Sequence, residues 1–80
     1  MINVKIRWFA AFREATGVSV ESVTTTATQP AELYEQMKNQ HDRLGERGAA
    51  LVAINDEISQ WDTPLKVDDE ILFFPPVAGG

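Results

Sequence analysis

The chain opens with strict alternation. Ile2, Val4, Ile6 and Trp8 fall on one side of an extended segment and Asn3, Lys5, Arg7 and Phe9 on the other, which predicts a strand with one buried face over residues 2–9. Residues 11–16 read as a turn or a single helical turn closed by Gly17. The β-branched run VSVESVTT at 18–25 predicts a second strand, close enough in sequence to the first to form an antiparallel hairpin with a longish loop. The period then changes. Behind Pro30, a residue suited to a first helical turn, Leu33, Tyr34, Met37, His41 and Leu44 recur at helical spacing among Glu32, Glu35, Lys38 and Asp42, predicting one amphipathic helix over 30–43. Thr28 and Gln29 are both available as its cap, Thr28 being the favoured type. Gly45 and Gly48 mark a loop. ALVAI at 50–54 predicts an interior strand, Asn55-Asp56 a tight turn, and 57–60 a brief edge strand. Residues 61–69 wander through Pro64 with Leu65 and Val67 turned inward, EILFF at 70–74 forms the last strand, and Pro75-Pro76 stops it.

The order β-β-α-β-β-β predicts an α+β fold with a mixed four- to five-stranded sheet and one main helix on one face. That is the β-grasp arrangement of ubiquitin-like proteins, with the first and last strands adjacent and parallel in the centre, joined by the whole intervening chain. Residues 1–76 are expected to form this one domain and residues 77–80 a flexible C-terminal diglycine tail.

Composition narrows the function. A chain of 80 residues, 44% of them hydrophobic, sustains a modest core. With no cysteine it has no disulfide, thiolate metal site or cysteine nucleophile, and a domain this small without disulfides is expected in the cytoplasm. MINVKIRW does not read as a signal peptide, and no apolar run approaches a bilayer span, so no membrane partner is expected. Twelve acidic residues against seven basic ones, a formal charge of -5, argue against a nucleic-acid surface and fit either steering toward a basic protein partner or solubility alone.

Two features carry candidate chemistry. If Ile71 and Phe73 face the helix, then Leu72 and Phe74 face away, and alternation puts Phe9 beside them; these three form an apolar patch that marks a partner surface unless the loops at 11–17 or 61–67 fold over it. The second is the ending PPVAGG. Pro75-Pro76 favours an extended, stiff segment, Val77 and Ala78 are small, and Gly79-Gly80 lets a partner's backbone approach closely. Elsewhere the signals are bland. His41, the lone histidine, reads as a helix-boundary residue, and Asp68-Asp69-Glu70 as a solvated acidic turn before a cation site. There is no glycine-rich phosphate loop and no serine–histidine–carboxylate set.

The ending FFPPVAGG resembles that of molybdopterin synthase small subunits, which are ubiquitin-like sulfur carriers. The likeness extends along the chain through Phe9-Ala10 with Arg13-Glu14, the Pro-Ala-Glu-Leu helix start at 30–33, Ala53-Ile54-Asn55 and Asp62-Thr63-Pro64-Leu65. Two departures stand out: Asp56 and Asp68 occupy turns where the family often has glycine. The resemblance implies that an E1-like adenylating enzyme uses ATP to activate Gly80. A sulfur donor, a sulfurtransferase or desulfurase, then converts it to a thiocarboxylate. The charged tail enters the large subunit of molybdopterin synthase and gives its sulfur to cyclic pyranopterin monophosphate, forming the dithiolene. On this reading Gly80 is the acyl carrier and Gly79 gives clearance, while Phe9, Arg13, Leu72, Phe74, Pro75, Pro76, Val77 and Ala78 meet partners. The chain itself binds no cofactor or metal and is a non-catalytic, sulfur-donating subunit of a heterotetramer. A carrier of another pathway (thiamine-type) or a ubiquitin-like protein modifier is the alternative.

Overall fold

The computed structural model describes residues 1–76; residues 77–80, with the sequence expectations placed on them, lie outside the described part. Five strands, β1 (Ile2–Trp8), β2 (Val20–Thr25), β3 (Leu51–Ile54), β4 (Glu57–Ser59) and β5 (Glu70–Phe74), form one sheet in the order β2-β1-β5-β3-β4. β1 and β5 pair in parallel at the centre and the other pairs are antiparallel. The expected mixed β-grasp sheet is therefore present with all five strands.

The alternation in β1 does what it predicts: Val4, Ile6 and Trp8 are buried. They meet Ile71 and Phe73 of β5, Val52 of β3, and Leu33, Tyr34 and Met37 of the main helix in one core. The Trp8 ring lies 5.2 Å from that of Phe73, and Trp61 stacks on Phe73 at 5.6 Å with the planes 9° apart. Burial of each such side chain stabilises the fold by roughly 1.5–3 kcal/mol, and Phe73→Ala would cost about 3–5 kcal/mol.

Among the described residues there are two helices, where one main helix and a turn or single helical turn were expected. α1 (Ala10–Thr16) fills the segment read as a single turn and feeds Phe12 into the core 6.2 Å from Trp8; Gly17 ends it in the left-handed conformation at φ 79°. α2 (Pro30–Gln40) is shorter than the 30–43 predicted from spacing. The backbone leaves the helix at His41 (φ -119°, ψ 94°), whose Nε2 sits 3.0 Å from Glu21 Oε2. Leu44 is still buried, carried inward by the following turn. Gln29 is the cap residue but its side chain bonds nothing; instead the Thr28 N–H and hydroxyl donate to Glu32 Oε1 at 2.6 and 2.8 Å. These bonds hold the Glu32 carboxyl below its ordinary value.

Val67, expected inside, is exposed. The Asp69 N–H bonds to the Lys66 carbonyl at 3.2 Å, so Val67 is the first corner of a β-turn whose second corner, Asp68, has φ 66°. Leu65 does pack against the core, as expected. The edge strand β4 ends at Ser59, one residue early.

Candidate functional site

The sheet has two unlike faces. Both helices pack on one. The strand registers place Val20, Arg7, Leu72, Ala53 and Ile58 in one row across the other, with Leu51 opposite Phe74 in the next row. Ile58 is 69% exposed and Leu51 51%. Apolar side chains gathered in the open on one face are the kind of patch that marks partner surfaces in soluble proteins.

The parallel pairing of β1 with β5 brings two parts of the site together. Trp8 is opposite Phe73, so the next residues of the two strands, Phe9 and Phe74, emerge side by side. Their rings stack at 4.8 Å with planes 16° apart, and both are half-buried. Pro75 and Pro76 follow directly, so the stack sits at the root of the tail. Phe9 is also the residue from which α1 starts: its carbonyl accepts the Phe12 N–H at 3.0 Å and the Arg13 N–H at 3.4 Å. Arg13 therefore stands one helical turn beyond Phe9 and is exposed. Ala10, between them, has φ 49°, an uncommon value for a residue with a Cβ.

Leu72 points to this face as its alternation requires but is only 7% exposed, which corrects the expectation that it lies open beside Phe9 and Phe74. It belongs to the central strand and has neighbours on all four sides of this face, Arg7 and Ala53 on the adjoining strands and Glu70 and Phe74 on its own, so surrounding side chains shelter it. The loop at 61–67 does not cover the patch. Trp61 turns to the helix side, where it stacks on Phe73, donates its Nε1–H to the Ala50 carbonyl at 3.2 Å, and receives the Arg47 guanidinium over its ring at 4.5 Å. The segment at 11–17 is α1, with Phe12 in the core.

Leu51 and Ile58 escaped the sequence reading because 50–54 looks like a strand buried on both faces. The available signal was again alternation: with Val52 inward, Leu51 and Ala53 must face out, and so must their neighbour Ile58.

The acidic turn before β5 is a structural brace. Asp69 Oδ1 accepts from Asn55 Nδ2 at 2.9 Å and Oδ2 from the Lys66 N–H at 2.8 Å, while Asn55 Oδ1 accepts the Glu70 N–H at 2.9 Å. The Asp69 carboxylate is thus engaged by protein donors, and the β3–β4 turn is fastened to the start of β5. His41 is likewise built in, sharing Glu21 Oε2 with the Trp8 Nε1–H at 2.7 Å. No group of three metal-ligating side chains converges among the described residues.

A five-stranded β-grasp sheet with exposed apolar side chains on its open face, and Pro75-Pro76 following the end of its central strand, defines a ubiquitin-like domain. The chain belongs to the ThiS family, which matches residues 6–80. It is similar to the molybdopterin synthase sulfur carrier subunit of Escherichia coli, 36% identical over 80 residues that cover 96% of this chain and 99% of the relative. Among solved structures it resembles a putative molybdopterin converting factor subunit 1 from Pyrococcus furiosus (TM-score 0.79, 30% identity, covering 96% of this chain and 100% of that one). It also resembles a chain of the protein–protein complex of molybdopterin-converting factor subunits 1 and 2 from Helicobacter pylori (TM-score 0.68, 30% identity, covering 99% and 100%).

Proposed function

We propose that this chain is the sulfur carrier subunit of a molybdopterin synthase. The observation that carries the reading is the placement of the Phe9–Phe74 stack at the root of a PPVAGG ending, beside an open apolar face, in a chain whose named relatives are molybdopterin synthase sulfur carrier subunits. On this proposal the Gly80 carboxylate attacks the α-phosphorus of ATP in the site of an E1-like adenylating partner and pyrophosphate leaves. A persulfide on a sulfurtransferase or desulfurase displaces AMP to give an acyl disulfide, and a second thiol cleaves its S–S bond, releasing the thiocarboxylate as the donor's sulfur and that thiol form a disulfide. The large subunit covers the face bearing Phe9, Phe74, Leu51 and Ile58 and takes Val77 to Gly80 into its active site. There the sulfur passes to cyclic pyranopterin monophosphate. The chain binds neither ATP nor a metal itself and works in the cytoplasm, its contribution being an unhindered acyl group and the surface that aims it.

The test is to incubate the full chain with its activating enzyme, ATP and a sulfur donor and to determine the mass of the C-terminal peptide. Exchange of one oxygen for sulfur on that peptide supports the proposal. An unchanged peptide, with an activating enzyme that charges another carrier, sinks it. If the thiocarboxylate forms but is passed to a thiamine-type acceptor, or the glycine is found in amide linkage to a lysine, the carrier belongs to another pathway or is a protein modifier.

A further inference from the structure

The two ends of the sheet are protected unequally. β4 is three residues long and carries Glu57, a short and charged edge of the kind that resists pairing with another chain. β2 is twice that length and ends the other side of the sheet with no lysine, proline or bulge in VESVTT. Its hydrogen-bonding pattern follows from two contacts. The Trp8 N–H bonds the Ser19 carbonyl at 2.9 Å, and the Lys5 N–H bonds the Asp69 carbonyl, also at 2.9 Å. Even-numbered residues of β1 therefore face β2. By the β1–β2 register, Glu21, Val23 and Thr25 bond back to them. The N–H and C=O groups of Val20, Ser22 and Thr24 point off the sheet. None of them has a protein partner among the described residues, and all three side chains are exposed.

We propose that this edge pairs with the same edge of a second copy, antiparallel across a two-fold axis at Ser22, joining two sheets into one. The arrangement is self-complementary. Ser22 faces Ser22 of the other copy and Val20 faces Thr24, each a pair that exchanges two backbone hydrogen bonds, with small or β-branched side chains meeting above them. Charge favours a second copy over a foreign partner. The one ionised side chain of the strand, Glu21, lies on the helix side and is held by Trp8 and His41. The edge strand itself therefore turns no charged side chain outward, the nearest exposed charges being Lys5 and Arg7 one strand further in, and a chain of net charge -5 meets its own copy here without carboxylate facing carboxylate. The apolar face around Phe74 and the tail are separated from β2 by β1, so the pairing leaves them open. The inference does not depend on the proposed function.

Sedimentation velocity of the full chain from about 10 μM to about 1 mM tests it, with amide exchange read at the same concentrations. A concentration-dependent dimer is expected, with slowed exchange at Val20, Ser22 and Thr24. Ser22→Lys, at an exposed position, is expected to weaken the dimer at least tenfold. Ser22→Pro, which removes a donor pointing away from β1, should do the same, while Ile58→Lys on the open face leaves it unchanged. A monomer throughout the range would overturn the proposal, as would a dimer that resists both Ser22 variants. A dimer lost in Ile58→Lys and kept in Ser22→Lys would overturn it as well, by assigning the contact to the open face.

Discussion

Two aspartates occupy backbone positions that glycine fills at less cost, and replacing them should stabilise the protein. Asp56 (φ 71°) follows Asn55 (φ 52°) in the β3–β4 hairpin turn, and Asp68 (φ 66°) is the second corner of the turn before β5. A left-handed conformation costs an ordinary residue about 1–2 kcal/mol, somewhat less for aspartate, whose short polar side chain bonds locally. Here neither carboxylate makes a hydrogen bond among the described residues, so glycine would forfeit no contact of that kind. Against the relief stands the larger entropy of glycine in the unfolded chain, about 0.4–1 kcal/mol. The difference is a gain of about 0.5 kcal/mol per site, with a few tenths more from removing negative charge beside Glu57 and Asp69. Asp56→Gly with Asp68→Gly should thus gain about 1–1.5 kcal/mol, a rise in Tm of about 4–10 °C in a domain of this size. Alanine is the control, because it removes the same charge without glycine's freedom: each aspartate-to-alanine change should leave Tm level or lower it. Urea unfolding followed by tryptophan fluorescence, with Trp8 and Trp61 both in or against the core, reads the outcome. If glycine and alanine shift stability alike at either position, backbone conformation does not govern that turn and the reasoning fails there.

Other expectations follow from the same geometry. Leu72→Ala should cost about 2–4 kcal/mol in urea unfolding, as a buried residue does, whereas Leu51→Asp and Ile58→Asp should leave stability within about 0.5 kcal/mol and weaken capture by the large subunit; equal stability losses for all three would refute the division of the face. Phe9→Ala removes an aromatic pair worth about 0.5–1.5 kcal/mol, and its effect on sulfur transfer should exceed what that loss of stability explains. Because hydrogen bonds from Thr28 lower the Glu32 carboxyl, the stabilisation they give is complete above the ordinary value of 4.5 and is lost as pH falls through the lowered one. The gap in Tm between the protein and Glu32→Gln should accordingly close toward acid pH, and a gap constant with pH would count against it. Burial raises the Tyr34 phenol, whose hydroxyl donates to the Gly45 carbonyl at 3.0 Å; that contribution is intact below 10.0 and lost as pH rises through the raised value, so Tyr34→Phe should gain on the parent in alkali.

What the sequence made legible depended on where a single period governs. β1, β2 and β5 follow from alternation and β-branching, and their order alone implied the parallel central pair. The helix end did not follow from periodicity, because His41 and Leu44 keep helical spacing and are drawn inward for other reasons: His41 by Glu21 on β2, Leu44 by the turn its N–H closes onto the His41 carbonyl. Val67 failed similarly. An apolar residue between Leu65 and Ile71 reads as core, and only the bonds by which the Asp68 N–H reaches the distant Asn3 carbonyl, and by which Asn55 Nδ2 and the Lys66 N–H donate to the Asp69 carboxylate, fix the turn that sends it outward. At the site, Phe9 and Phe74 were legible because they flank strand ends. The burial of Leu72 was not, because it depends on which strands lie to either side.

The position of the tail is a consequence of topology more than of the tail's own residues. In an antiparallel pair the end of the last strand would lie beside the start of the first, next to Met1 and Ile2. The parallel register instead delivers Phe74 to the end of β1, where the chain must turn into α1 and Ala10 takes up a left-handed backbone to do so. The exit of the tail, the stacked aromatic pair and the start of α1 with Arg13 thereby share one corner. Both helices lie on the other side of the sheet, so none of the described residues competes for the face beside that corner. A partner that covers Leu51, Ile58 and the Phe9–Phe74 stack therefore also lies against Pro75 and Pro76, which is why the proposed function can make docking and delivery a single event.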